Sequence, residues 1–116
     1  MMKDRDLVHL RQMLDYSREA FDIVSTISRS DLDSNRLLNL ALVRLLEIIG
    51  EAANRVSSGK RSEHPGIPWG EIVSLRNRLI HGYDQVDFDI LWQIVKHDLP
   101  ELIAALKPIL PPCSKK

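Results

Sequence analysis

From Asp4 to about Ile27 the apolar residues Leu7, Leu10, Leu14, Phe21 and Val24 recur at steps of three and four, and Met13, Ala20 and Ile27 widen the stripe. Residues three and four apart share a helix face, so this spacing predicts one long amphipathic helix. The stretch SRSDLDSN follows, and its serines, aspartates and asparagine suit a turn and an N-cap without Gly or Pro. A second long helix is expected from about Ser34 to Ser57. At ~100° per residue, its Arg44, Glu47, Glu51, Asn54 and Arg55 gather into one polar stripe. The apolar positions, from Leu37 and Leu38 through Ala52, Ala53 and Val56, fill most of the remaining circumference. Such a helix needs burial on two sides. In a small domain one side is expected to face the core and the other a second copy of the chain.

SSGKRSEHPGIPWG is polar and rich in Gly and Pro, and reads as a loop carrying Lys60, Arg61 and His64. Pro68 suits the first turn of a third helix, PWGEIVSLRNRLIHG, with Gly82 placed to end it. YDQVDFD is a connector in which Asp87 is a candidate N-cap for a fourth helix starting near Phe88. Pro100 cannot continue that helix without cost. DLPELIAALKPIL therefore reads as a restart, with Asp98 capping, Pro100 in the first turn, Glu101 at the capping-box position and an end at or shortly after Pro108. No strand pattern or internal repeat is visible. The expected fold is all-α: an up-and-down four-helix bundle over residues 1–110, its last helix kinked or split, dimerising through helices, with 111–116 a flexible tail. Trp69 and Trp92 fall beside apolar neighbours and are expected to anchor the core.

Composition narrows this picture rather than changing it. The 116 residues amount to one domain, 44% hydrophobic and 28% charged, and an aromatic content of only 5% favours helix packing over a β-sandwich. Sixteen basic residues balance sixteen acidic ones, so any contact with nucleic acid has to come from a local basic cluster. Cys113, the single cysteine, lies in the tail PPCSKK and excludes an intrachain disulfide. No apolar run approaches the ~20 residues that span a bilayer, and the N-terminus lacks a secretory pattern, which points to a cytoplasmic protein.

The chemistry concentrates in RNRLIHGY, Arg76 to Tyr83, where Arg76, His81 and Tyr83 form an R-x4-H-x-Y pattern. On a straight helix Asn77 and His81 line up, whereas Arg76 and His81 stand ~140° apart. Arg76 and His81 can converge only if the helix distorts before Gly82 or a second chain completes the site. Histidine can move a proton near neutral pH, and arginine can stabilise extra charge on a phosphate through paired donors. Together they suit RNA cleavage without a metal. Concerted acid and base catalysis wants two histidines, and a two-fold axis beside the segment would supply the second. Spacing alone is better met by an ordinary helix end, where cations such as Arg76 and Arg78 are favoured.

LLEIIGEAANRVS, followed by HPGIPWGEIVSLRNRLIHGYDQVDFDILWQIVKHDLPEL, closely resembles the HepT-like toxins of the HEPN superfamily, over nearly the whole chain. The resemblance implies a dimeric all-α endoribonuclease toxin with its motif at the subunit interface, acting on RNA, with tRNA a frequent target in the family. It implies that Arg76 and His81 are catalytic. It also implies a partner, a minimal nucleotidyltransferase (MNT-type) antitoxin that silences the toxin by adding AMP to Tyr83. Glu47 and Glu51 either pair with Arg44 and Arg55 along the helix, or one of them holds Arg76 or His81 in position. Arg78, Lys60 and Arg61 are candidate RNA-phosphate contacts. No metal site or cofactor is expected: Asp84, Asp87 and Asp89 lack the EF-hand glycine and glutamate, and His9, His64 and His97 lack ligand spacing. The alternative function is a non-catalytic nucleotide- or substrate-binding subunit of a nucleotidyltransferase complex.

Overall fold

The computed structural model describes residues 2–81 and 85–111, with side chains for 5–80 and 85–111. The first stripe forms α1 (Met2–Val24). Its core face, Leu10, Met13, Leu14, Ala20 and Val24, is buried. SRSDLDSN is not wholly a turn, because it contains the one-turn helix α2 (Asp31–Ser34). The second long helix, α3 (Arg36–Arg55), starts two residues later than expected, since Asn35 is its N-cap and accepts a hydrogen bond from the Leu38 N–H at 3.0 Å. Local side-chain chemistry, not the apolar pattern, sets that boundary.

α3 packs along α1, and α5 (Trp69–Val73) and α6 (Leu75–Leu79) also pack against it. Leu42, Leu46, Ile49 and Ala53 on α3 are fully buried. Elsewhere on its circumference Leu37 is 82% and Leu40 48% exposed. Gly50 is where α3 meets α5: a Cβ there would stand 3.0 Å from the Ile72 carbonyl oxygen and 3.4 Å from that of Val73.

The 57–70 segment, expected to be loop, contains α4 (Ser58–Glu63). Ser57 caps α4, its Oγ accepting from the Lys60 N–H, and Arg61 donates to the Val56 and Asn54 carbonyls at the end of α3. These contacts satisfy donors and acceptors that two helix ends would otherwise leave open. Trp69 is buried as expected, with its indole N–H donating to the His64 carbonyl. Trp92 is only partly buried, with the Lys96 ammonium 5.5 Å from its ring centre.

Asp6 fastens α1 to this corner. Its two carboxylate oxygens accept from the Ser57 N–H at 2.9 Å and the Ser57 hydroxyl at 2.7 Å. These bonds, the backbone one foremost, hold the Asp6 pKa below its ordinary 3.8. The contribution to stability is therefore complete above the unfolded-state value and is lost as pH falls through the lower folded-state value. The stability difference between wild type and Asp6→Asn should be constant above about pH 5 and shrink below about pH 4, as read by urea titration at each pH.

The third helix departs most from expectation. It is offset at Ser74, and α6 stops at Leu79 rather than running to Gly82. The chain then extends into β1 (Ile80–His81), which pairs antiparallel with β2 (Gln85–Val86), Ile80 opposite Val86 and His81 opposite Gln85. The Asp87 N–H donates to the Leu79 carbonyl at 2.8 Å and takes that acceptor away from the helix. This ladder of two-residue strands is not expected from the sequence, but the described residues are otherwise mostly helical and the all-α class holds. Asp87 caps α7 (Phe88–Gln93) as expected, accepting from the Asp89 and Ile90 N–H groups.

Of the expected kinked or split last helix, the split and the restart at Pro100 are not seen. A π-helical turn, Ile94–Asp98, joins α7 to α8 (Leu99–Leu106), with the Leu99 N–H bonded five residues back to Ile94 and the backbone helical at Asp98 and Leu99. The wider turn carries carbonyls off the Pro100 ring and accommodates its missing donor without a break. Asp98 makes no cap bond, because its carboxylate pairs instead with Arg78 at 3.0 Å. α8 packs on α1 and ends in a 3₁₀ turn, Lys107–Ile109. Arg11 donates to the Pro111 carbonyl beyond it. No helix among the described residues is long and apolar enough to cross a membrane.

Candidate active site

The polar stripe of α3 faces α6 across a cleft of about 230 Å³ lined by Leu46, Glu47, Gly50, Glu51, Asn54, Val73, Arg76 and Asn77. Gly50 makes this possible, since any larger residue would hold α5, and with it α6, further from α3. Arg76 projects from the first turn of α6 and is 63% exposed, and its Nε lies 3.2 Å from Glu47 Oε2. The other Glu47 oxygen, Oε1, accepts from Arg44 Nη1, also at 3.2 Å. Arg44 further reaches Glu51 Oε2 at 3.6 Å. Glu47 is the sheltered member of the group, its side chain 22% exposed. Of the two arrangements considered for Glu47 and Glu51, Glu47 adopts both at once, while Glu51 pairs with Arg44.

Asn77 shares the cleft with Arg76. His81 lies past the end of α6 with extended backbone, so the straight-helix angle between it and Arg76 does not apply. The backbone changes from helix to strand at Ile80, before Gly82, which is one of the two conditions under which Arg76 and His81 could converge; the other is a second chain. The His81 side chain and all of Tyr83 lie outside what the structure describes.

Arg78, two residues from Arg76, points elsewhere. It pairs with Asp98 and lines a separate cleft of about 160 Å³ between α6 and α8. Lys60 pairs with Glu63 at 3.2 Å, and Arg61 is engaged with the end of α3. None of these three lines the Arg76 cleft. Asp89 is engaged by Arg29 at 2.7 Å and Asp87 by the start of α7, whereas Asp84 lies outside the described residues. Among the described residues, no three His, Cys, Asp or Glu side chains group as a metal set.

Sequence reading missed Gly50 and the part taken by Arg44. Arg44, Glu47, Glu51 and Asn54 already form one stripe in sequence, but only the docking of α6 shows that Glu47, Glu51 and Asn54 wall a cleft, with Arg44 paired to both glutamates beside it.

A family model described as "Ribonuclease HepT-like" matches residues 13–109. The chain is 36% identical over 102 residues to "Putative RNase MJ1380" of Methanocaldococcus jannaschii, covering 87% of this chain and 94% of that one. It is 36% identical over 102 residues to "Putative RNase TTE0752" of Caldanaerobacter subterraneus, covering 88% and 91%. Against "Probable ribonuclease HepT" of Thermococcus cleftensis it is 38% identical over 88 residues, covering 72% and 80%. No solved structure matches the chain.

Proposed function

This chain belongs to the ribonuclease HepT-like family, and on that premise we propose that it is an endoribonuclease that cuts RNA without a metal, using Arg76 and His81. The observation that carries the reading is the placement of Arg76, the first residue of the R-x4-H-x-Y motif, on an open cleft with its guanidinium held by Glu47. An arginine sealed in salt bridges away from any cleft would have favoured the non-catalytic binding subunit.

In the reaction the ribose 2′-oxygen attacks the adjacent phosphorus, its proton passes to a base, and the bond to the 5′-oxygen breaks as that oxygen takes a proton. The products are a 2′,3′-cyclic phosphate and a 5′-hydroxyl. His81 serves as one proton carrier, and His81 of a second copy serves as the other. Arg76 donates to the non-bridging phosphate oxygens as charge grows there. Glu47 fixes Arg76 in register for that contact. In the homodimer the four-helix units pair through the α3 side, which the uncovered Leu37 and Leu40 support. As a toxin the enzyme is silenced by a nucleotidyltransferase antitoxin. The Tyr83 hydroxyl gives up its proton to solvent as its oxygen attacks the α-phosphorus of ATP, pyrophosphate leaves, and the added AMP obstructs RNA beside Arg76 and His81.

The deciding experiment incubates total cellular RNA in EDTA with purified dimer whose mass shows an unmodified Tyr83. Cleavage to fragments with 5′-hydroxyl ends is the expected result. Intact RNA after incubation with folded, unmodified dimer would overturn the proposal and favour the binding subunit.

A further inference from the structure

Arg44 has no part in the motif, yet it is joined to Arg76 through a single carboxylate. Glu47 Oε1 binds Arg44 and Oε2 binds Arg76, both at 3.2 Å, although the two arginines come from α3 and α6. The guanidinium groups are thus held within the span of one carboxylate, both mostly exposed on the same side of the molecule. Arg76 uses its inner nitrogen, Nε, for Glu47, and among the described residues its terminal nitrogens are unengaged. Arg44 offers the same kind of planar donor fork beside it.

Charge gives Arg44 a second task. The cleft carries two carboxylates, Glu47 and Glu51, which by themselves would repel a phosphate. Arg76 offsets one of them. Arg44, within 3.6 Å of Glu51 and 3.2 Å of Glu47, offsets the other. Without Arg44 the group has one net negative charge where RNA has to enter.

We propose that Arg44 is the second RNA-binding cation of this site: it contacts the phosphate next to the one held by Arg76 and, together with Arg76, neutralises the Glu47–Glu51 pair. This rests on the RNA-cleaving reading for its substrate. Arg44 binds RNA and does not touch the reacting atoms, so its loss acts on affinity and leaves the chemical step intact.

Binding is measured separately from cleavage, by fluorescence anisotropy of a labelled single-stranded RNA oligonucleotide across a salt series, in a His81→Ala background. Arg44→Gln should weaken binding about tenfold at low salt. The slope of log affinity against log salt should fall by about 0.7, as for one lost phosphate contact on a single strand. Arg44→Lys should keep that slope, and Arg18→Gln, an exposed charge on α1, should leave both quantities unchanged. In the cleaving protein, Arg44→Gln should raise KM about tenfold at unchanged kcat, which a purely structural role for Arg44 does not produce. An unchanged slope in folded Arg44→Gln, or a slope change as large in Arg18→Gln, would overturn the assignment. Failure of the wild type to cut RNA would count against the enzyme reading alone, since the salt series still tests Arg44.

Discussion

His81→Ala is expected to lower single-turnover cleavage of saturating RNA by about 10²–10⁴-fold, the range associated with losing one positioned acid or base. The loss should sit in kcat, because imidazole moves protons in the transition state and adds little to ground-state binding. Arg76→Ala should cost about 10²–10³-fold, comparable to removing one donor from a developing anion. Arg76→Lys should recover only part of this, since a point charge does not reproduce the paired donors of the guanidinium. Glu47→Gln offers a graded case: it keeps a hydrogen-bond acceptor for Arg76 Nε but removes the charge that holds it. A loss of about tenfold is expected there, with folding unchanged by circular dichroism, because ion pairs to two arginines that are themselves mostly exposed contribute little to stability. Wild-type turnover in His81→Ala would remove the histidine from the mechanism.

The second large effect concerns Gly50 and is felt by stability and activity together. A valine at this position would drive its branched carbons into the Ile72 and Val73 carbonyls, which a bare Cβ already meets at 3.0 and 3.4 Å. Backbone oxygens cannot step aside as a flexible side chain would, so α5 and α6 have to move off α3. Overpacking of this kind costs about 1–3 kcal/mol, which lowers the Tm of a domain of this size by roughly 4–20 °C. The same displacement carries Arg76 away from Glu47, so kcat should fall even at temperatures where the variant is fully folded. Gly50→Ala is the milder comparison. Its gain in helix propensity, about 1 kcal/mol, opposes a contact that only a slight shift relieves. A Gly50→Val protein with wild-type Tm and wild-type kcat would show that close approach at this point is not needed.

Much of the architecture was legible because it is written in local chemistry. The three-and-four spacing of Leu7, Leu10 and Leu14, taken up again by Ala20, Phe21 and Val24, is enough to specify α1, and the density of apolar residues after Leu37 is enough to specify α3. Asp87 caps α7 from its own side chain, so that boundary too was readable in advance. Arg76 stood out as a candidate because few segments gather so many polar groups around so few aliphatic ones. In each case the determining interactions lie within one turn of the residue concerned.

The end of α6 was not of that kind. No residue between Arg78 and His81 breaks a helix; α6 stops at Leu79 because the Asp87 N–H, eight residues on, takes the Leu79 carbonyl and β2 pairs with Ile80. Pro100 predicted a break, yet the π-helical turn that absorbs it draws Asp98 from a capping role into a bond with Arg78, a partner twenty residues away. The stripe on α3 was visible, but whether Glu47 faced solvent or Arg76 depended on how closely α5 and α6 could approach at Gly50. Sequence thus determined the long helices and offered the residues able to do chemistry, through contacts only a few positions apart. Tertiary structure decided where the helices stop and which charges meet, because those outcomes depend on hydrogen bonds and backbone contacts between segments far apart in the chain.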